Sequence, residues 1–344
     1  MNTFLTLPET ERSAIFTDVA NKIGIPPYYV EKDFWVSWML EVLFDDDAEL
    51  SPHITFRGGT SLSKAYNAIS RFSEDIDLSI SRTWLGVTEI NDPALAETKS
   101  QAEKRQGKIR KLTRAKLNES VLPLIQKAVE SSPLSVSDFN IEPEGENTPF
   151  DQSRDPYCIY FSYPTTVQNP ASGYISSRVK LEFSARAEGT PEETKIIQSF
   201  VADYYPDIFK QAQVSVRTIL PARTLWEKLF IIHEENTAPE TRQPKPRLSR
   251  HYYDLYQIIQ NDLASTDSEL FEEVRDHRKH YFSQNWVNYE NLTVSQFQVT
   301  PPERLAPIWS RDYEAMNTMV YEKMPSLDVV LSTIQRYIAT LSNK

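Results

Sequence analysis

The spacing of apolar and polar positions changes period several times along the chain. The first 45 residues follow a helical pattern: Pro8 with Glu9 and Glu11 suits a helix start, and Gly24 with Pro26 and Pro27 suits a stop. A second helix is predicted from about Tyr28 to Phe44, ending in the acidic loop Asp45, Asp46, Asp47. His53 to Arg57 reads as a short strand, Gly58-Gly59 as a turn, and Thr60 to Ala68 as a helix. From Ser73 to Ile80 the period falls to two. Ile76, Leu78 and Ile80 alternate there with Asp75, Asp77 and Ser79, which marks a half-buried strand. Residues 93–130 are helical and polar, and residues 131–172 mix strand candidates with proline- and acid-rich loops. Strands are predicted over Cys158–Tyr163, Ser177–Arg186 and Gln213–Ile219. In the second of these, Val179, Leu181 and Phe183 face one way and Lys180, Glu182, Ser184 and Arg186 the other. From Pro221 the helical period takes over, with Thr224 and Glu227 as a capping box, a helix near 250–262 and three more helical stretches. The predicted fold class is α/β (α+β): a lobe of N-terminal helices and mixed β-sheet over residues 1–220, then an all-helical lobe over 221–344.

Composition narrows the function classes. With 40% hydrophobic and 25% charged residues the chain reads as a soluble globular protein rather than a disordered one. No apolar run approaches the roughly 18 residues of a membrane span. The first residues lack a secretory signal pattern, so a cytoplasmic protein with no membrane partner is expected. A single cysteine, Cys158, excludes a disulfide framework and a multi-cysteine zinc site, and five scattered histidines offer no all-histidine centre. The net charge of −11 argues against bulk attraction to nucleic acid but leaves room for a local basic surface. Lys104, Arg105, Lys108, Arg110, Lys111, Arg114 and Lys116 supply one on the predicted polar helix. It reads equally as a solvated face or as a phosphate-backbone contact, with Lys108, Arg110, Lys111 and Arg114 the RNA-binding candidates.

The chemistry concentrates between residues 58 and 77. Two carboxylates two apart on a strand leave the same face, and their repulsion is relieved by a cation between them. Oxygen-only ligation by Asp75 and Asp77 favours Mg²⁺ or Mn²⁺. Gly58, Gly59, Thr60 and Ser61 form a glycine turn opening a helix, which presents backbone N–H groups to a phosphate. A tight strand-to-helix connection is the plain alternative. Ser73, two residues before Asp75, should share its face. Glu182 adds a carboxylate on a separate strand. Metal ligands, a triphosphate cradle and a carboxylate for the acceptor are the parts of a nucleotidyl transferase. The P-loop spacing is absent.

The run Phe56 to Leu62 followed by Arg71 to Leu78 resembles the first motif of the AbiEii/AbiGii toxin family, within the DNA polymerase β-like nucleotidyltransferase superfamily. The resemblance extends to Glu31 to Trp35, Val179 to Glu182, Glu227 to Leu229 and Arg250 to Leu255, covering most of residues 28–256. It implies an NTP-dependent toxin of a toxin–antitoxin (abortive infection) system. Such a toxin would transfer NMP to an RNA acceptor such as the tRNA 3′ end and be opposed by a cognate antitoxin protein. Asp75 and Asp77 would hold the metal, and Gly58, Gly59, Thr60, Ser61 and Ser73 would surround the nucleotide. Lys228 would meet its phosphates, and Asp254 would orient that lysine or assist catalysis. Glu182 would take the acceptor proton. Two other readings share these residues: a non-catalytic nucleotide- or RNA-binding module, and a metal-dependent nuclease. The nuclease order of acid before lysine is reversed in Lys180-Leu181-Glu182 and leaves the glycine turn unexplained.

Overall fold

The computed structural model describes residues 1–144, 157–168, 177–264 and 267–342. Within the stretch 131–172 read as strand candidates and loops, residues 145–156 and 169–172 lie outside the described residues. The chain divides into two compact units, the first comprising Met1–Ala65 and Ser73–Thr218, the second Tyr66–Phe72 and Ile219–Lys344.

The first unit opens with helices α1 (Asn2–Leu5), α2 (Glu9–Ile23) and α3 (Pro27–Leu43). Gly24, with φ +76°, caps α2 in the left-handed conformation, and Pro27 begins α3 where a missing N–H costs nothing. There follow β1 (Ile54–Arg57), α4 (Gly58–Lys64), β2 (Asp75–Ile80), α5 (Lys99–Lys116) and α6 (Leu122–Glu130). Then come β3 (Asn140–Pro143), β4 (Tyr157–Ser162), β5 (Arg178–Ser184), β6 (Glu192–Ile197), α7 (Phe200–Tyr204) and β7 (Val214–Ile219). The strands form one mixed sheet in the order β3-β4-β5-β2-β1-β7-β6, with β2 at its centre. β1 runs antiparallel to β2, and β5 lies parallel to β2 on its other side.

Alternation along these strands builds the core. Ile76, Leu78, Val179, Leu181, Phe183 and Phe161 are fully buried on one face. Helix α3 covers part of that face: Trp38 stacks on Phe161 with centroids 5.4 Å apart, and Trp35 on Tyr163 at 5.2 Å. Each such side chain contributes about 1.5–3 kcal/mol by leaving water. The opposite side of β2 and β5 keeps Asp75, Asp77, Lys180 and Glu182 half-exposed. That segregation positions the candidate site.

The second unit contains α8 (Pro221–Asn236), α9 (Arg250–Gln260), α10 (Ser268–Tyr281), α11 (Ala306–Ala315) and α12 (Leu327–Ser342). Nearly every residue of α8 is buried, which makes it the unit's central helix. Trp226 and Phe230 on α8 pack with Phe271 and Phe297. The segment 66–72 is stitched into this unit by backbone hydrogen bonds from Phe72 N–H to the Met319 carbonyl (2.7 Å) and from Tyr321 N–H to the Ser70 carbonyl (2.8 Å).

The α/β class is as predicted, and three local expectations change. Gly58 and Gly59 are the first turn of α4 rather than a turn before it, and α4 stops at Lys64. Asn67 just beyond adopts φ +48°, which no helix accommodates. The capping box at Thr224 and Glu227 does not form. Pro221 at the first position starts the helix earlier, leaving Thr224 buried inside it and Glu227 paired with Arg223 at 3.2 Å. Finally, β3 and β6 had no distinct sequence signal. Both are sheet edges, where charge and proline replace apolar alternation.

Candidate active site

The residues singled out from sequence gather into two clusters, one in each unit. In the first unit, the antiparallel register sets Arg57 opposite Asp77, so the turn out of β1 lies beside the Asp77 side chain. Gly58 has φ +78°, and a Cβ there would sit 2.0 Å from Asp77 Oδ2. The position therefore excludes every side chain twice, by conformation and by space. Asp75 and Asp77 leave the same side of the central strand, half-buried. The Thr60 hydroxyl donates to the Asp75 carbonyl (2.5 Å) and lies 3.0 Å from the Ser73 hydroxyl. Ser61 donates to the Gly58 carbonyl at 3.0 Å. Both Thr60 and Ser61 are buried, so these hydroxyls brace the turn. No side chain caps α4, which leaves its first backbone N–H groups to any ligand the glycines admit.

Glu182 stands in register with Asp77, and Lys180 with Asp75. The two β5 side chains form an ion pair with each other. Burial opposes the Lys180 charge, but the Glu182 carboxylate outweighs it and raises the lysine above its ordinary pKa. Among the described residues, no three His, Cys, Asp or Glu side chains cluster as a metal cage. What fits a divalent cation is the pair Asp75 and Asp77, opening onto the cradle that a Cβ at Gly58 would fill.

Beneath them lies a set of charges whose role the sequence pattern did not disclose. Glu31, Lys32 and Asp33 are consecutive on the apolar helix α3, and all three are buried. Glu31 accepts hydrogen bonds from Thr165 Oγ1 (2.5 Å) and Thr166 N–H (2.6 Å). Lys32 pairs with Glu74, the neighbour of Asp75. Asp33 pairs with Lys64 at the end of α4 (2.5 Å) and accepts from Phe200 N–H (2.8 Å). Burial pushes Glu31 and Asp33 up and Lys32 down from their ordinary pKa values, and the partners oppose each shift. Three consecutive charges inside a largely apolar helix were the available signal.

In the second unit, Asp254 is fully buried. Arg71 donates to both its oxygens, at 2.7 and 2.8 Å, and Lys228 Nζ lies 2.9 Å away. Burial alone would raise Asp254, but Arg71 first and Lys228 next hold it well below the carboxylate range. His251 Nδ1 lies 3.2 Å from Lys228 Nζ, and burial together with the nearby cations drives His251 far below its usual pKa. A neutral His251 thus accepts from the lysine. Arg71 and His251, absent from the sequence-derived site, complete this network.

The basic helix α5 divides its charges. Lys104, Lys108 and Lys111 share one exposed stripe along a cleft of about 530 Å³, while Arg110 and Arg114 lie half-buried on another side. Lys116 pairs with Glu49 at 3.2 Å and covers the Trp84 ring.

A family model described as nucleotidyl transferase AbiEii toxin, type IV TA system, matches residues 41–337. The chain belongs to the AbiEii family. It is a nucleotidyltransferase toxin of a toxin–antitoxin system, and the match runs through both units, well past residue 256. Among solved structures it is similar to MenT4, nucleotidyltransferase toxin Rv2826c from Mycobacterium tuberculosis H37Rv. That similarity has 14% sequence identity and a TM-score of 0.43, covering 95% of this chain and 97% of that one. No curated protein sequence matches it. Among the described residues, no helix is long and apolar enough to cross a membrane.

Two outcomes follow for variants of these clusters. Gly58→Ala must displace Asp77, so nucleotidyl transfer should fall by about a hundredfold or more. Gly24→Ala, at φ +76° with nothing within 4 Å, is the control. It should cost only about 1–2 kcal/mol of stability and keep transfer activity. In the second unit, Arg71→Met leaves a buried carboxylate with half its compensation. Urea unfolding should show a loss of about 3–5 kcal/mol.

Proposed function

We propose that this AbiEii protein transfers the nucleoside monophosphate of an NTP to the 3′ end of an RNA acceptor, with tRNA the acceptor class. The observation that carries the reading is Asp75 and Asp77 on one face of the central strand, with Asp77 lying where a Gly58 side chain would be. A divalent cation held by Asp75 and Asp77, Mg²⁺ or Mn²⁺, would supply charge neutralisation to the triphosphate. The backbone of Gly58 and Gly59 admits phosphate oxygens close to the start of α4, while Thr60, Ser61 and Ser73 keep the turn in shape. Lys228, its ammonium held by Asp254 and His251, is assigned to the triphosphate. Asp254 itself is engaged by Arg71 and Lys228, which favours orientation of the lysine over proton transfer. The acceptor hydroxyl attacks the α-phosphorus, its oxygen forms the new phosphodiester bond and pyrophosphate leaves. Glu182 is assigned to orient that hydroxyl and take its proton, exchanging Lys180 as partner. A cognate antitoxin protein is the expected partner, and the exposed stripe of α5 is assigned to the RNA backbone.

The direct test incubates the protein with total tRNA, Mg²⁺ and each α-labelled NTP in turn. Label should enter RNA from one NTP, and fall below about a thousandth of that rate in Asp75→Ala/Asp77→Ala. No label with any NTP, from folded protein that NTP and Mg²⁺ stabilise against heat, would leave the binding-module reading in its place. Neutralising Lys104, Lys108 and Lys111 together should weaken RNA binding and reduce its salt slope by about 0.7–0.9 per lost phosphate contact. An unchanged slope would remove α5 from the interface.

A further inference from the structure

The polar face of the sheet does not end at the two aspartates. Register carries it sideways: Asp75 is level with Lys180 on β5, and Lys180 with Tyr160 on β4. The next row places Arg178 level with Ser162. Within this patch the Arg178 guanidinium lies over the Tyr160 ring, 4.5 Å from its centroid. Arg178 is exposed, Tyr160 and Lys180 are half-buried, and Glu182 is matched by Lys180. None of the large apolar side chains exposed among the described residues lies on β4 or β5.

We propose that Tyr160 and Arg178 form a stacking platform for the single-stranded 3′-terminal bases of the RNA acceptor, beside the carboxylates that serve the transfer. The proposal rests on the transfer reading above and supplies what that reading lacks, a seat for the acceptor end. Three features favour a nucleic-acid strand. A tyrosine paired with a guanidinium plane offers flat π and cationic surface, which every base can use irrespective of sequence. The platform lies two strand spacings from Asp75, about 10 Å. That span is about three nucleotides at a stacked rise of about 3.4 Å, so bases seated here would leave the terminal hydroxyl within reach of the site. Glu142, level with Tyr160 on the edge strand β3, is an exposed carboxylate that repels phosphodiesters. It confines the track to β4 and β5 and turns the strand end toward β2.

The test uses the full chain and a short 5′-labelled single-stranded RNA, with a blunt duplex as comparison, read by fluorescence anisotropy. Tyr160→Ala and Arg178→Ala should each weaken single-strand binding about tenfold, and Tyr160→Phe should retain it. Duplex binding should change little. In transfer assays the same alanine variants should raise KM for RNA while leaving KM for NTP in place. Arg178 is exposed, so its replacement tests the platform without disturbing the core. Unchanged single-strand affinity in both alanine variants overturns the proposal, and so does a loss confined to antitoxin binding. A native protein that transfers nothing yet binds single strands through Tyr160 would overturn the transfer reading and keep the platform. Transfer with an unaltered KM for RNA in both variants would do the reverse.

Discussion

The first unit is organised around the pairing of β1 with β2. Because the two strands are antiparallel and Arg57 is level with Asp77, the chain leaves β1 where the Asp77 carboxylate leaves β2. Only a residue without Cβ can make that exit, since the space is already held by Asp77 Oδ2. Placing β2 in the centre of the sheet adds a second constraint. Its apolar side is committed to the core, so the aspartates have one direction open to them and a rigid support behind them.

Burying charge near such a site is expensive unless every charge has a partner. The structure meets this condition by distributing the consecutive charges of α3 to different segments: Glu31 to Thr165 and Thr166, Lys32 to Glu74, Asp33 to Lys64 and the Phe200 N–H. Two of these contacts, Lys32 with Glu74 and Asp33 with Lys64, hold the residue before β2 and the end of α4, so α3 acts as a rack that fixes α4 and the entry to β2. The same logic recurs in the second unit. Asp254 holds a lysine only because Arg71 also compensates it, and His251 stays neutral so as to accept rather than repel. Pairing of this kind contributes specificity of position more than net stability.

Fixed supports also explain why the polar side of the sheet can carry different tasks strand by strand. Asp75 and Asp77 bring negative charge to β2, whereas on β5 Lys180 is matched by Glu182 and Arg178 adds an exposed positive charge. The two neighbouring strands thus differ in charge balance about 5 Å apart.

Much of this was legible in the residues alone. Period-two alternation identified β2 and β5 and the side from which Asp75, Asp77 and Glu182 emerge, because side-chain direction in a strand is a local property. The motif residues from Phe56 to Leu78 indicated the family, and the helical period beyond Pro221 indicated the change of architecture. Partners separated by long stretches of chain were not legible. Nothing in the local pattern joins Arg71 to Asp254, Glu31 to Thr165, or Arg178 to Tyr160. Nor does it place residues 66–72 with the helices of the second unit. Local sequence determines which way a side chain can point and which segments are apolar. Only the folded chain decides what that side chain meets, because register and burial are set by all the strands and helices packing at once.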